Sequence, residues 1–479
     1  MEEFLMLSDN LKTTGSQELL EFVKNVRGRE YVGSRFNEFD RPERNKKYKG
    51  YSIRLKTSYA KQKPKNDPID RLERLLLSGF GMNSIKFYDH QPEMLWSYPS
   101  AGACYPIELY VVINNAPPLE KGVFYYSPHD MALYKINNEN IHLHDNLLEQ
   151  DSDDDIYIVF TAALWKSCWK YSYRGYQFCH LDAGHVITNM RLLANTLGMD
   201  TSTYTICNNR SISKLLNLDA IEEAVGLISI KNFNQSREIS NSKVVGKDHL
   251  SNSYTNDPDQ SNQFNWEPIS SFQKEVYAKN LIPKASWLSE SRLGYENQNF
   301  DKLLNLIKYR RSASTFNKEK IALSDFDKIV EFISHCDFPL ETTFVINNVN
   351  SLESGIYKLE SGHLKKEKIG DFNVKVKELC INQEILENAS VALFFSANLG
   401  MEDEDLHWKK SLIESGMLAQ EIHLKVNEIG LGYSCIGGYY DEEVKEFLNL
   451  HPLDEILYAG VIGVDKTNGL KRDRYFLNR

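Results

Sequence analysis

The stretch SYPSAGACYP at residues 97–106 places Pro99, Ser100, Ala101 and Gly102 just ahead of an apolar run, Ile107 to Ile113, that reads as a buried strand. Backbone without bulky side chains can come very close to a flat or charged partner, so this segment has the composition of a ligand-facing wall. Residues 164–185, LWKSCWKYSYRGYQFCHLDAGH, hold a second candidate, in which Lys170 adjoins Tyr171. A free phenol is almost wholly protonated at neutral pH, and an ammonium group beside it favours the phenolate, which is proton-transfer chemistry. Together with Tyr171, the neighbouring Trp165, Trp169, Tyr173 and Tyr176 offer a wall for a flat heterocycle.

These residues need a scaffold, and the chain writes that scaffold twice. VINNAPPLEKGV at 112–123 returns as VINNVNSLESGI at 345–356, 233 residues on and without a gap. LDAGHVITNMRLLANTLGM at 181–199 is matched by IESGMLAQEIHLKVNEIGL at 413–431, and SISKLLNL at 211–218 by EVKEFLNL at 443–450, both displaced by 232. Order and spacing kept over such a stretch indicate a tandem duplication. Each copy predicts an early helix, a strand-rich centre, a long amphipathic helix, a glycine-containing turn, a short helix and a last strand. The first long helix is expected to begin near Leu181, with Val186, Met190, Leu193 and Leu197 at helical spacing. Its counterpart runs from about Leu412 to Glu428, where Gly430 suits a C-terminal cap. The final strands are AVGLISI and LYAGVIGV.

A length of 479 residues also predicts two domains. The expected organisation is an N-terminal arm at 1–49, a first unit at 50–232, a long polar linker at 233–299 and a second unit at 300–479. The linker is dominated by Ser, Asn, Asp and Gln and cannot bury enough surface to fold alone. Its Trp266, Phe272, Tyr277, Leu281, Ile282 and Trp287 suit it to lie along the two units. LLEQDSDDDIY at 147–157 reads as a solvated acidic loop.

A formal net charge of −10 argues against nucleic acid or an anionic membrane as the main partner and for a small molecule or a carrier protein. The seven cysteines, at 104, 168, 179, 207, 336, 380 and 435, form no CxxC pair, which reads as reduced thiols in a cytoplasmic protein and predicts no metal. No apolar run reaches the roughly 18 residues of a membrane span, and the acidic start MEEFLMLSDN is unlike a signal peptide.

With these motifs the chain resembles the FMN-dependent nitroreductase superfamily, in its azoline (thiazoline and oxazoline) dehydrogenase branch. The resemblance implies an α+β fold of two tandem nitroreductase-like units, each a mixed or antiparallel sheet flanked by helices, forming a pseudo-dimer with FMN as cofactor. RRSASTF at 310–316 resembles the flavin-phosphate motif, with Arg310, Arg311 and Ser312 as donors at a helix end, although Ser314 stands where a basic residue is usual. GLGYSCIGGYYDEEVKEFLNL at 430–450 matches the turn facing the isoalloxazine, where Gly437 and Gly438 leave room for the ring. Arg472 and Arg474 of KRDR resemble a late phosphate contact.

In that superfamily two subunits share each flavin, and PSAG looks like the segment a partner lays against the ring. Pro99 opens that segment, Ser100 would bond the pyrimidine edge, and Ala101 and Gly102 would clear space. Lys170 and Tyr171, followed by Arg174, Gly175 and Tyr176 and by Asp182 to His185, match the branch's catalytic pair, while Asp182 and His185 read as helix-packing residues. The copies are unequally equipped. Thr205 and Ile206 stand opposite Gly437 and Gly438, only Arg54 and Lys56 occupy the region of the first copy's phosphate motif, and ISHCDFPLET replaces PSAG in the second copy. Each copy lacks what the other keeps, which predicts one composite flavin site per chain and a decayed mate.

The resemblance implies oxidation of a thiazoline or oxazoline in a peptide natural product, carried on a nonribosomal carrier domain or a precursor leader. Residues 1–45 are short and polar for a complete leader-recognition domain. A general NAD(P)H-dependent nitro- or ene-reductase and a flavin-free scaffold for a peptide synthetase remain open, as does a homodimer of pseudo-dimers.

Overall fold

The computed structural model describes residues 46–48, 50–55, 67–88, 91–137, 154–233, 264, 266–278, 295, 299–400, 404–465 and 474–476. The first copy runs β1 (Ser52–Arg54), α1 (Pro68–Gly79), β2 (Met82–Tyr88), β3 (Gln91–Trp96), β4 (Ile107–Ile113), β5 (Gly122–Ser127) and β6 (Ala132–Asn137). It continues through β7 (Ile156–Ala163), α2 (Trp165–Tyr171), α3 (Arg174–Thr196), β8 (Asp200–Tyr204), α4 (Asn209–Leu216) and β9 (Glu222–Lys231). After α5 (Glu267–Ala278) come α6 (Phe300–Tyr309), α7 (Leu323–His335), β10 (Glu341–Ile346), β11 (Gly355–Glu360), β12 (His363–Ile369) and α8 (Asn373–Leu379). The second copy ends with β13 (Val391–Asn398), α9 (Glu404–Glu428), β14 (Gly432–Ile436), α10 (Asp441–Leu448), β15 (Asp454–Gly463) and β16 (Arg474–Phe476).

Each copy builds its own antiparallel sheet, in the order β1-β6-β5-β4-β7-β9-β8 and β12-β11-β10-β13-β15-β14. Ile113 pairs with Gly122 and Ile156, and Ile346 with Gly355 and Val391, so the repeated VINN segments close the same hairpin twice. The apolar run of β4 is buried along its whole length, as a strand covered on both faces requires. A third sheet, β16-β2-β3, joins the copies: Arg474 near the chain's end pairs with Lys86.

The long helices α3 and α9 pack against each other between the sheets. A methyl on Gly184 would lie 2.0 Å from Ile413 O, and one on Gly416 would lie 2.1 Å from Leu181 O. These two contacts are counterparts under the 232-residue displacement, so the copies are related by a pseudo-twofold axis at this crossing. Gly198 and Gly430, also counterparts, have φ of 65° and 80° just past the two helix ends, the left-handed turn expected of a C-terminal cap.

Both helices begin earlier than their apolar spacing indicates, at Arg174 rather than Leu181 and at Glu404 rather than Leu412. Their first turns face the other copy instead of solvent, so polar residues such as Gln177 and His180 are wholly buried and hide the amphipathic period. The expected acidic loop is also shorter: Asp154 is buried, and β7 takes Ile156 and Tyr157, while 147–153 lie outside the described residues. Within the expected linker, α5 buries Ile269, Phe272 and Val276 against both copies. Leu281, Ile282 and Trp287 lie outside the described residues. Among the described residues no helix is long and apolar enough to cross a membrane, and none of the seven cysteines is joined in a disulfide.

Candidate active site

The loop after β3 is anchored before it turns. Ser97 Oγ donates to Gly79 O at 2.8 Å, and Tyr98, fully buried, stacks on Phe80. Gly102, Ala103 and Tyr105 then take φ of 55°, 54° and 48°. The left-handed region costs a non-glycine residue roughly 1–2 kcal/mol, so Ala103 and Tyr105 must be held there. Ser100 holds them: its Oγ accepts the Tyr105 N–H at 2.8 Å and meets Asp182 Oδ2 at 2.5 Å, and its carbonyl accepts the Ala103 N–H at 3.0 Å.

Lys170 and Tyr171 end α2, which stops at Ser172 with φ of 53°. Gly175 lets α3 start hard against α2, since a methyl there would lie 2.7 Å from the Cys168 backbone. The pair converges on exposed Gly102, where a methyl would lie 2.3 Å from Tyr171 Oη and 2.6 Å from Lys170 Nζ. Lys170 Nζ also donates to Gly102 O at 3.4 Å.

The second copy reaches the same place through Phe178. Tyr171 and Phe178 meet edge to face with centroids 4.9 Å apart, and a methyl on Gly437 would lie 2.5 Å from the Phe178 ring. Gly438 is crowded by Ile381, and its carbonyl accepts from Gln383 at 3.0 Å. Arg174, fully buried, donates from Nε to Gly437 O at 3.0 Å and from Nη1 to Asp441 Oδ2 at 2.6 Å, with its guanidinium 4.7 Å from the Tyr439 ring centroid. This tie between the copies was not assigned from sequence, because its partners are 267 positions apart.

Arg310 caps the C-terminal end of α6, and it and Arg311 are buried. Arg310 Nε donates to Ser97 O at 3.4 Å, so the arginine pair of one copy abuts the PSAG loop of the other. His423 lies between the arginines, 3.5 Å from Arg310 Nη1 and 2.9 Å from Arg311 O, and Arg311 pairs with Asp465. A helix C-terminus repels anions, so side chains rather than backbone would hold a phosphate here. Two guanidiniums and the part-exposed hydroxyl of Ser312 on successive residues, beside an exposed glycine loop, fit a flat cofactor with a phosphate arm. Arg472 lies outside the described residues, and Arg474 is described only as backbone in β16.

Burial sets the charge states. It pushes the Asp182 carboxyl up to about 8, against the opposing bonds from Ser100 and the Ala101 N–H. It also pushes the Tyr171 phenol upward, with Cys104 and Asp182 adding to the effect, opposite to the phenolate expected beside Lys170. Burial and Arg310 take His185 down to about 3; its ring bridges Gln420 Oε1 at 3.0 Å and Tyr458 Oη at 3.3 Å, a packing role. The expected aromatic wall is not one surface: Lys46 lies over Trp165, Tyr173 packs on Phe264, and Tyr176 stacks on Trp408 between the copies.

The sequence model of the Nitroreductase family matches residues 63–230 and 307–464. The chain belongs to the Nitroreductase family. Members of this family of oxidoreductases generally bind flavin. The Methanocaldococcus jannaschii protein MJ1384, named as a nitroreductase, is 26% identical over 152 residues, which is 31% of this chain and 73% of that protein. The Microcin B17-processing protein McbC of Escherichia coli is 29% identical over 131 residues, 26% of this chain; the match spans 48% of McbC. A nitroreductase structure from Anabaena variabilis superposes with a TM-score of 0.75 at 22% identity, covering 90% of this chain and 96% of that one, a likeness of fold.

Among the described residues, the position related to this site by the 232-residue displacement is packed with side chains. Thr205 and Ile206 are buried there, and Ile206, Leu406 and Val276 of α5 surround a cavity of about 20 Å³. Phe272 of α5 meets Tyr176 and Trp408 edge to face, while Gln273 joins Lys409 on the Glu223 carboxylate at 3.2 and 3.1 Å. Burial works to raise that carboxyl, but Lys409 and His180 outweigh it and hold it low.

Proposed function

We propose that the chain is an FMN-dependent azoline dehydrogenase that oxidises a thiazoline or oxazoline in a peptide at the composite site where Lys170, Tyr171 and Gly102 of one nitroreductase unit meet the Gly437 turn of the other. The observation that carries this reading is the convergence of Lys170 and Tyr171 on Gly102, beside Phe178 and the Gly437 turn of the other copy. The similarity to a microcin-processing protein supports a natural-product substrate, presented on a carrier domain or a precursor leader. FMN, when bound, supplies a hydride acceptor. Arg310, Arg311 and Ser312, with Arg472 and Arg474, would hold its phosphate, and Pro99 to Gly102 and Gly437 to Gly438 would flank its ring.

The chain's own residues manage the proton. Aromatising the ring removes a proton from the carbon next to the carbonyl as a hydride leaves the neighbouring carbon, so a proton acceptor must stand over the first carbon. Tyr171, kept a phenol by burial, suits donation of a hydrogen bond to the substrate carbonyl oxygen. Lys170, part-exposed with its Nζ beside Gly102, stands where it would take the proton. Lys170→Met and Tyr171→Phe are each expected to lower turnover of a thiazoline peptide by about 10²–10⁴ while the purified chain stays yellow. Loss of colour in both variants overturns the assignment. Rapid flavin reduction by NADPH with no azoline oxidation by the unaltered chain selects a general reductase instead.

A further inference from the structure

We infer that Asp182 is a positioning residue: through Ser100 and Ala101 its carboxyl fixes the left-handed turn at 102–105 and thereby sets Gly102 against Lys170 and Tyr171. Asp182 lies on α3, only 2% exposed, with Oδ2 2.5 Å from Ser100 Oγ, and it also accepts the Ala101 N–H. Ser100 in turn takes the Tyr105 N–H, and the Cys104 N–H reaches Ala101 O at 3.1 Å. Every backbone donor of residues 103–105 is thus satisfied from the two residues that Asp182 grips.

Three of the four residues at 102–105 have positive φ, two of them not glycine, so the turn relaxes unless something outside it holds its shape. Facing Asp182 are Tyr98 after β3, Tyr171 of α2, Cys179 of α3, Cys435 of β14 and Tyr458 of β15. None of these is a cation, and its bonds to the loop are what orient the carboxyl. The counterpart position makes the same point in reverse. Glu414, 232 residues on, is also buried in its helix, but in the copy without PSAG it faces Lys410 at 3.7 Å. Where the loop is missing, the acid has turned to a lysine.

The consequence for turnover rests on the proposed oxidation, whereas the clamp itself does not. Hydrogen exchange of the full chain reads the clamp directly. Asp182→Leu is expected to speed exchange of the Ala103, Cys104 and Tyr105 amides by about tenfold or more, with residues 186–194 of α3 unchanged. Asp182→Asn, which keeps one acceptor oxygen, falls between that variant and the unaltered chain. Ser100→Ala removes the same bond from the loop side and carries the test where Asp182→Leu fails to fold. With a thiazoline peptide, Asp182→Leu lowers kcat by about tenfold with KM within about twofold, and Asp182→Asn restores most of it. Unchanged exchange at 103–105 in Asp182→Leu and Ser100→Ala overturns the inference whatever the substrate. Exchange that responds as expected in a chain that oxidises no azoline upholds the clamp and sinks the proposed reaction.

Discussion

The two interfaces related by the pseudo-twofold axis share the glycine crossing of the long helices and differ around it. On the open side Arg174 reaches Asp441 and the Gly437 carbonyl; their counterparts on the closed side are Leu406 and Asn209, both buried. Gly437 and Gly438 face Thr205 and Ile206, and the acid that grips a loop on one side pairs with a lysine on the other. That side is filled as well as depleted, because α5 packs Phe272 against Trp408, and the partly open pocket beside Val276 has a volume of only about 20 Å³, room for about one water. Losing a buried ion pair costs little when apolar side chains replace both partners and much when one charge is left behind. The mate has been rebuilt as core.

That contrast can be broken most forcefully at the ion pair. Arg174→Leu strips the buried Asp441 carboxylate of its guanidinium and is expected to cost about 3–5 kcal/mol in chemical denaturation. Adding Asp441→Asn, which copies the closed side, should restore much of that; equal losses in the single and double variants would break the comparison. On the closed side Phe272→Ala should cost about 3 kcal/mol through the cavity it opens, and bound flavin measured by absorbance should stay at one equivalent per chain. A second equivalent would mean that α5 alone keeps the mate shut.

A smaller effect belongs to Gly437→Ala, whose methyl meets the Phe178 ring and should cost about 1–3 kcal/mol, relieved when Phe178→Leu is added. The gentlest test is pH. Between the ordinary carboxyl value of 3.8 and about 8, the folded chain keeps a proton on Asp182 that the unfolded chain has lost, so stability falls as pH rises through that window. His185 acts from the other side: it stays neutral down to about 3, so stability is lost as pH drops below 6.5. Asp182→Asn should flatten the first slope and leave the second, as read from unfolding midpoints across pH.

Much of this was legible in the sequence because the duplication left it in short runs. The VINN repeat, the Gly430 cap and the strand at Ile107–Ile113 each depend on local chemistry and fall where the sequence indicates, the VINN runs closing hairpins and Gly198 matching Gly430 in the structure. PSAG, the Lys170–Tyr171 pair and the RRS run could be named as candidates for the same reason, since each is contiguous. What was hidden is what the fold supplies at a distance. Gln177 looks like a solvent-facing residue until Leu457 O of the other copy takes its amide, and α5 looks like linker because its three buried apolar side chains pack against distant parts of the chain. The signal for Asp182 was present, three residues ahead of His185 on one helix face, but only the sharp turn of the loop brings Ser100 to it.

The antiparallel pairing of Arg474–Phe476 with Ser84–Lys86 has a bearing on how the molecule would survive being cut. A protease that severs the chain between the copies leaves two fragments laced together by that exchanged strand and by the glycine crossing of the long helices. Such a nicked preparation should migrate as one species under native conditions and as two only after denaturation, with its yellow colour, if present, shared by neither fragment alone.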